Sequence, residues 1–172
     1  MTTQRQFDIL GIGEVLVGFH DTKKPHSKEN AVISGDIFNT LSACHQCGLK
    51  AALLSAVGGD EYTEAITNAL EENSINTNYV TFDNNSPNGM YWVTPEGPHR
   101  FDYKRSNSAF SRLAKPSNLK ERIASAKIIY ATGVTCAVSE AMYETVLDSF
   151  KLAKSLGIKT EPLARLCWYR YD

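Results

Sequence analysis

The sequence has no apolar run close to the roughly 20 residues that a bilayer-spanning helix requires. It also lacks an excess of charge of either sign, because 18 Lys and Arg residues against 19 Asp and Glu residues give a net charge of −1. Proteins that bind nucleic acid or an anionic membrane usually carry a marked positive charge. The first residues lack the apolar core of a signal peptide. We therefore expect a cytoplasmic protein with no nucleic-acid partner and no membrane partner.

Metal-binding spacings of cysteine and histidine are also missing, although the chain has four of each residue. Cys44 and Cys47 form a C-x-x-C, but this pair lies within an apolar-periodic helix, and no second pair completes a tetrahedral site. We predict buried structural thiols here, since free cysteine behaves as a small hydrophobic residue. The sequence predicts no metal site.

A complete glycine fingerprint for dinucleotide binding is absent as well. The first strand ends in Gly11-x-Gly13, but Leu16 stands where the third glycine of G-x-G-x-x-G belongs. The segment 15–19 continues as a strand, whereas the fingerprint needs a helix at this point. We therefore predict that this turn does not bind a nucleotide.

What is present is the composition of a globular domain, with 42% hydrophobic and 22% charged residues in a chain of 172. This length corresponds to one domain or to part of a larger one. Strand patterns alternate with helical patterns, which predicts an α/β fold with a parallel sheet covered by helices. The predicted strands are 7–13, 51–57, 79–82, 126–131 and one beginning at residue 158, and the predicted helices are 36–47, 61–73, 117–124 and 139–156.

The clearest hairpin signal is a pair of strand patterns at 90–94 and 100–105, which flank a turn with two prolines and a glycine. A hairpin of this kind is not stable alone. We expect it to pair with the short strands predicted at 15–19 and 31–33. The expected result is a small antiparallel sheet inserted into the main domain.

The rest of the chain is organised around the stretch 34–60. Gly35-Asp36 opens a helix, and Asp36 lies near the positive N-terminus of that helix, with Asn39 one turn further on. About twenty residues later, Val57-Gly58-Gly59-Asp60 turns the chain into the next helix. Spacing alone is explained equally well by an ordinary βα-unit with capped helices.

The pattern G-D-x-x-N followed by V-G-x-D resembles the N-terminal signature of the ribokinase-like (PfkB) carbohydrate kinases. The resemblance implies a three-layer parallel sheet with a small antiparallel β-lid, and it implies that Gly35, Asp36 and Asn39 grip sugar hydroxyls. The reaction of that family is phosphoryl transfer from ATP to a sugar hydroxyl, with Mg²⁺ as cofactor and an aspartate as base. The resemblance further implies a homodimer, formed through the β-lid or through an exposed sheet edge.

Within that family, the predicted lid most resembles the lid of 2-keto-3-deoxygluconate kinases, which carry a tyrosine and then a Y-x-R. The resemblance assigns sugar binding to Tyr91, Tyr103 and Arg105, because an arginine fork can clamp the carboxylate of an open-chain sugar acid. We expect these residues to line one concave surface together with the helix-start residues named above. The alternatives are cross-strand packing for the tyrosines, a surface charge for Arg105, and fructose, ribose or a nucleoside as substrate.

The end of the chain departs from the family pattern. Pro162 is expected to stop the strand that begins at residue 158, because proline removes a hydrogen-bond donor from the sheet. The D-x-N-x-R segment of the family is represented only by Arg165, and the G-[AS]-G-D motif with the catalytic base is absent from the sequence. We therefore predict a domain at 1–160 that is truncated before the nucleotide-binding half, followed by an irregular tail at 161–172.

This interpretation places the lid strands at about 15–34 and 89–106. We expect no catalytic residue in the chain, weak binding of ATP and Mg²⁺ at best, and no phosphorylation by the chain itself. The alternatives are a non-catalytic sugar-binding or dimerising fragment, and a complete small domain with an irregular tail.

Overall fold

The apolar runs of the sequence form strands, and the amphipathic segments form helices. The computed structural model describes residues 5–20, 27–94 and 100–163. The strands are β1 (Phe7–Ile12), β2 (Leu16–Phe19), β3 (Val32–Ser34), β4 (Ala51–Gly58), β5 (Asn76–Asp83), β6 (Gly89–Thr94), β7 (Arg100–Lys104), β8 (Ala126–Thr132) and β9 (Lys159–Leu163). The helices are α1 (Asp36–Gln46), α2 (Thr63–Glu72), α3 (Leu119–Ala124), α4 (Gly133–Val138) and α5 (Glu140–Ser155), with a short 3₁₀ helix at Lys28–Asn30.

The central sheet is parallel and has the strand order β5-β4-β1-β8-β9. Strand β1 lies in the middle, where Leu10 pairs with Ala52 of β4 on one side and with Ile129 of β8 on the other. Every residue of β4 is buried, as expected of a parallel strand that is covered on both faces. The predicted α/β fold is confirmed.

Helices cover both faces of this sheet, because successive side chains of a strand point to opposite faces. On one face, Leu53 of β4 is buried with Ile37 of α1 and Ile66 of α2. On the other face, Leu54 is buried with Met142 of α5. The expected three-layer arrangement is therefore present. Within the described ranges, no helix combines the length and the apolar content that crossing a membrane requires.

The lid is a second sheet with the strand order β3-β2-β6-β7. The hairpin β6–β7 is antiparallel as predicted, and β2 is also antiparallel to β3. The expectation of an antiparallel lid is nevertheless wrong, because β2 and β6 are parallel. Strand β2 follows β1 and strand β6 follows β5, so both leave the carboxyl end of the central sheet in the same direction. The lid is a mixed sheet for this reason.

One face of the lid packs against the central domain, and the other is open. Trp92 of β6 stacks on Phe19 of β2 with ring centroids 6.0 Å apart, and Phe19 meets Tyr62, just before α2, edge to face. The opposite face carries Phe101 and Tyr103 of β7, which are 51% and 44% exposed. The packed face fixes the lid, and the open face is available for contacts.

Two elements differ from the prediction. Strand β9 continues through Pro162 to Leu163, so the predicted end of the strand before Pro162 and the irregular structure from residue 161 are wrong. Pro162 pairs with Ala131 in the outermost strand of the described sheet, where a missing N–H is tolerated. Helix α4, directly after β8, is not predicted from the sequence. The predicted hairpin turn 95–99 and the residues 164–172, with Arg165, lie outside the described residues.

Asn88 joins the start of the lid to the turn that follows β4. Its Nδ2 donates to Asp60 at 2.6 Å, and its Oδ1 accepts from the Gly58 N–H at 2.7 Å. Its own backbone N–H donates to the other Asp60 carboxylate oxygen at 2.7 Å. A Cβ on Gly58 would lie 2.7 Å from the Asn88 nitrogen, so the close approach requires glycine. These bonds determine where β6 begins relative to the central sheet.

We predict that Asn88→Ala lowers the free energy of unfolding by about 2–3 kcal/mol, because the Gly58 N–H and the Asp60 carboxylate lose buried partners. Equilibrium unfolding in urea measures this change. The matched control is Asn78→Ala on the exposed part of β5, which we expect to change stability by no more than about 0.5 kcal/mol. Equal losses in the two variants would contradict the assigned role of Asn88.

Candidate functional site

The strand order creates a crevice at the carboxyl ends of β1 and β8. The chain adds β4 and β5 on one side of β1 and later adds β8 and β9 on the other, so the order of the strands reverses between β1 and β8. Gly13 follows β1 and lies against α1, where a Cβ would be 2.0 Å from Ile37 Cγ1. Only glycine therefore allows the first turn of α1 to begin at the mouth of this crevice.

Asp36 occupies that first turn. Its Oδ1 accepts from the Ile37 N–H at 2.8 Å, and its Oδ2 accepts from the Thr132 hydroxyl at the end of β8. The Thr132 oxygen also accepts from the Thr135 N–H at 3.3 Å, at the start of α4. Gly35, before Asp36, has a φ of +128°, which residues with a Cβ rarely adopt. The Asp36 carboxylate is thus held in place with lone pairs left to accept from a ligand hydroxyl.

Glu14 lies between β1 and β2 and is 3% exposed. Its Oε2 accepts from Arg105 Nε at 2.9 Å and from Arg105 Nη2 at 2.8 Å. Its Oε1 accepts from the Ser108 hydroxyl at 2.5 Å. Gly89 at the start of β6 passes so close that a Cβ there would lie 2.4 Å from Oε1. Gly89 begins the lid strand β6 and Arg105 directly follows β7, so Glu14 connects the lid to the central sheet.

The electrostatic influences on Glu14 oppose one another. Burial raises the pKa of Glu14, the charge of Arg105 and the hydrogen bond from Ser108 lower it, and the charge of Asp36 raises it. The net direction is upward, because removal of the carboxylate from water is the largest influence. Because Gly35 lies against Glu14, Asp36 and Glu14 bring two carboxyl groups to the part of the site that contains Arg105. A ligand carboxylate would bring a third negative charge to this neighbourhood.

The two lid tyrosines differ in their accessibility. Tyr91 is buried, and its hydroxyl lies 2.7 Å from Ser34 Oγ and 2.9 Å from His20 Nε2. Tyr103 pairs with Tyr91 across the hairpin but is half exposed. The guanidinium of Arg105 lies 5.5 Å from the centroid of the Tyr103 ring. Tyr103 and Arg105 therefore offer a surface to a ligand, whereas the Tyr91 hydroxyl is engaged within the protein.

Several residues predicted from the sequence meet around Glu14. Asp36 influences its carboxyl group, Arg105 is paired with it, and a Cβ on Gly35 would lie 2.7 Å from its carbonyl oxygen. Asn39 is exposed one turn further along α1, where its N–H donates to the Gly35 carbonyl at 2.9 Å. Its side chain makes no hydrogen bond within the described part of the chain. The helix start and the end of the lid hairpin thus converge, with Asn39 at the margin.

Sequence reasoning missed Glu14, Ser108 and Thr132. A signal for Glu14 exists, because it is a carboxylate within the apolar segment 9–19, and a buried carboxylate requires partners. Arg105 and Ser108 are three residues apart after a strand, and a turn of this spacing can bring two donors to one acceptor. Thr132 stands out only as a polar residue that ends a buried strand.

The thiols of the described chain are free. Burial raises the pKa of Cys44 and Cys136. Cys47 is exposed just after the last turn of α1, so the prediction that it is buried is wrong, and Cys167 lies outside the described residues. Among the residues that the structure describes, no group of three or more His, Cys, Asp or Glu side chains is arranged to hold a metal ion.

These features define an α/β protein with a β-lid and a polar crevice at the carboxyl ends of its central strands. The family model described as pfkB family carbohydrate kinase matches residues 15–163. The chain belongs to the pfkB family of carbohydrate kinases.

Two curated relatives carry names of sugar kinases. The chain is 29% identical over 126 residues to a 2-dehydro-3-deoxygluconokinase of Thermoproteus tenax, a match that covers 71% of this chain and 39% of that protein. It is 28% identical over 157 residues to probable fructokinase-5 of Arabidopsis thaliana, which covers 87% of this chain and 48% of that protein. The chain therefore spans less than half the length of these two relatives.

Solved structures share the fold. A PfkB protein from Polaromonas sp. JS666 matches with a TM-score of 0.80 and 21% identity, over 92% of this chain and 56% of that one. A structure from E. coli, solved in complex with ATP and Mg²⁺, matches with a TM-score of 0.77 and 18% identity, over 91% of this chain and 52% of that one. The ribokinase-like fold expected from the sequence is confirmed over the part of the fold that this chain covers.

We predict that Thr132→Val lowers the free energy of unfolding by about 1–3 kcal/mol, because the buried Thr135 N–H loses its acceptor and Asp36 loses a donor. Thermal and urea unfolding measure the loss. Thr132→Ser is the matched control, since it keeps the hydroxyl, and we expect it to retain most of the stability. If the serine variant is as unstable as the valine variant, the loss comes from packing and not from the hydroxyl.

Proposed function

We propose that this chain carries the sugar-binding side of an ATP-dependent sugar kinase that acts on an open-chain sugar acid of the 2-keto-3-deoxygluconate type. The observation that carries the proposal is that the helix start at Gly35-Asp36 and Arg105 of the lid both lie against Glu14 at the crevice. Asp36 offers an acceptor for hydroxyls, and Arg105 offers a cation for a carboxylate. A sugar acid has both groups, and ligands of open α/β sheets bind at such a crevice.

The start of α1 is suited to a polyhydroxylated ligand. Gly35 allows the helix start to pack against Glu14, Asp36 keeps free lone pairs, and the amide of Asn39 is exposed one turn further on. The positive end of the helix adds a favourable field for an oxygen-rich ligand. In this proposal, these three residues grip sugar hydroxyls.

The lid supplies the carboxylate contact. Glu14 occupies the edge of the Arg105 guanidinium formed by Nε and Nη2, and within the described chain no hydrogen bond engages Nη1. The edge formed by Nη1 and Nη2 can still meet a substrate carboxylate in the two-point geometry typical of arginine. Tyr103 lies against the same guanidinium. In this proposal, Tyr103 stacks on the sugar or hydrogen-bonds to it at the margin of the site, and Tyr91 lies next to Tyr103 across the hairpin.

A neutral ketose such as fructose is the second candidate substrate. The structure favours it in one respect, because Glu14 already neutralises the charge of Arg105. The match to the Arabidopsis fructokinase also extends over more of this chain than the match to the 2-dehydro-3-deoxygluconokinase. The two candidates differ in one measurable property, which is whether a carboxylate on the sugar strengthens or weakens its binding.

Phosphoryl transfer also needs a nucleotide and a base. In the proposed reaction, ATP would supply the phosphoryl group and Mg²⁺ would offset the negative charge that develops on it. The sequence contains no G-[AS]-G-D motif, and the described residues hold no group that fits a metal ion. We therefore propose that the 172-residue chain binds the sugar without phosphorylating it. We also propose that it does so in the cytoplasm.

We predict that Asp36→Ala weakens sugar binding by about tenfold to a hundredfold, because a charge-assisted hydrogen bond contributes roughly 1.5–3 kcal/mol. Titration calorimetry of the chain with 2-keto-3-deoxygluconate and with fructose measures the affinities. Asp148→Ala changes a partly exposed aspartate on α5; it is the control and should bind like the unaltered chain. Unchanged affinity of Asp36→Ala for a sugar that binds, or no binding of any sugar by the unaltered chain, would refute the proposed site.

We also propose a homodimer through the lid, because its open face carries half-exposed Val32, Phe101 and Tyr103, and exposed apolar surface of this kind favours association. We predict a mass above the 19.1 kDa of one chain in light scattering, and a return to that mass in Phe101→Glu. The control is Phe82→Glu on the outermost strand β5, where Phe82 is exposed. Dissociation by Phe82→Glu alone would place the interface at the edge of the central sheet. If the unaltered chain is monomeric, both the lid interface and the sheet-edge interface are excluded.

A further inference from the structure

Glu14, just after β1, lies against the helix start at Gly35, the first residue of the lid strand β6 and the segment that follows β7. The Glu14 cluster consists of Glu14, Gly89, Arg105 and Ser108. Glu14 follows β1, Gly89 begins β6, and the other two residues follow β7. Three segments that are distant in the sequence therefore meet at the Glu14 carboxylate. A carboxylate this deeply buried is costly unless its partners are in place.

The turn after β7 is shaped to deliver both donors. The N–H of Ser108 donates to the Arg105 carbonyl at 3.1 Å, which closes the turn. Asn107 within it has a φ of +63°, a left-handed conformation that asparagine adopts more readily than most residues. The guanidinium of Arg105 thereby reaches Oε2 while the hydroxyl of Ser108 reaches Oε1. Both carboxylate oxygens of Glu14 are thus used by residues three apart in the sequence.

The contact leaves Arg105 oriented but partly neutralised. Nε and Nη2 both point to the same oxygen of Glu14, so one edge of the fork is taken and the planar group is fixed. Asp36 lies close enough to influence the same carboxyl group. A ligand carboxylate that approaches the other edge of Arg105 therefore competes with Glu14 for the charge of the arginine.

We propose that Glu14 is a positioning residue that fixes Arg105 and the end of the lid hairpin, and that its charge sets how strongly the site discriminates between acidic and neutral sugars. The second part rests on the proposed sugar-binding function, whereas the first part does not. Like charges near a ligand weaken its binding, and complementary charges favour it. Removing the charge of Glu14 should therefore favour the acid over the neutral sugar, while the position of the lid becomes less well fixed.

The variant Glu14→Gln separates charge from shape. Glutamine has the size of glutamate, its carbonyl oxygen can accept from Arg105, and its amide can donate to the Ser108 hydroxyl, which is able to accept. Asp148→Asn is the matched control, because it removes the charge from an exposed pair with Lys115 at 2.8 Å, far from the lid in sequence. Exposed pairs of that kind contribute little to stability.

The first experiment measures the lid without any sugar. Hydrogen–deuterium exchange of the 172-residue chain should be several-fold faster at the β7 amides, residues 100–104, in Glu14→Gln than in the unaltered chain or in Asp148→Asn. Exchange in strand β4 of the central sheet should stay unchanged. Unchanged exchange in β7 would overturn the positioning role, and faster exchange throughout the chain would assign Glu14 to global stability only.

The second experiment measures discrimination between 2-keto-3-deoxygluconate and its neutral alcohol analogue, by calorimetry on the same variants. We expect Glu14→Gln to shift the ratio of affinities toward the acid by about tenfold, and Asp148→Asn to leave the ratio unchanged. An equal change for both sugars, or a shift toward the neutral one, would overturn the specificity role.

A second variant keeps both parts testable if Glu14→Gln does not fold. Arg105→Lys retains the charge but loses the two-point contact with Glu14, so it should speed exchange in β7 and weaken binding of the acid more than that of the neutral sugar. A larger loss of affinity for the neutral sugar than for the acid in Arg105→Lys would overturn the proposal. If the unaltered chain binds neither sugar, the proposed function is refuted together with the specificity role, and the exchange experiment alone decides whether Glu14 positions the lid.

Discussion

The buried carboxylate of Glu14 requires partners, and the lid is arranged so that it obtains them. A carboxylate removed from water is unfavourable unless cations and donors surround it. Arg105 and Ser108 provide these groups from the end of the hairpin. Gly89 has no side chain and so allows β6 to pass over the same carboxylate. One electrostatic requirement thus fixes how the two strands of the hairpin lie relative to β1.

A second polar contact and an apolar one complete the attachment of the lid. Asn88 fixes the start of β6 to the turn after β4, and Trp92 stacks on Phe19 over the central domain. The lid is therefore held at its base and along one face. Its other face, with Tyr103 and Phe101, is left partly exposed. The same face carries Tyr103, which the proposal assigns to sugar binding, and Phe101, which it assigns to association.

Much of the fold follows from patterns within short segments. Continuous apolar runs predict the buried strands, and the glycine and aspartate at 35–36 predict the start of α1, because these features depend on neighbours in the sequence. The direction of β6 relative to β2 does not follow in this way, since it depends on where β5 delivers the chain. The continuation of β9 through Pro162 depends on its place in the outermost described strand, which is likewise a property of the assembled sheet.

The candidate site likewise has features that follow from local sequence and features that depend on the tertiary structure. The sequence by itself determined Asp36 at a helix start and the Tyr103–Arg105 pair on a hairpin, because helix starts and strand alternation are local. Only the tertiary structure decided that Arg105 reaches Glu14, which is 91 positions away in the chain, and that Thr132 reaches Asp36 across 96 positions. The local pattern of a residue does not specify partners so distant in sequence. They are set by which strand ends the parallel sheet brings to the same edge.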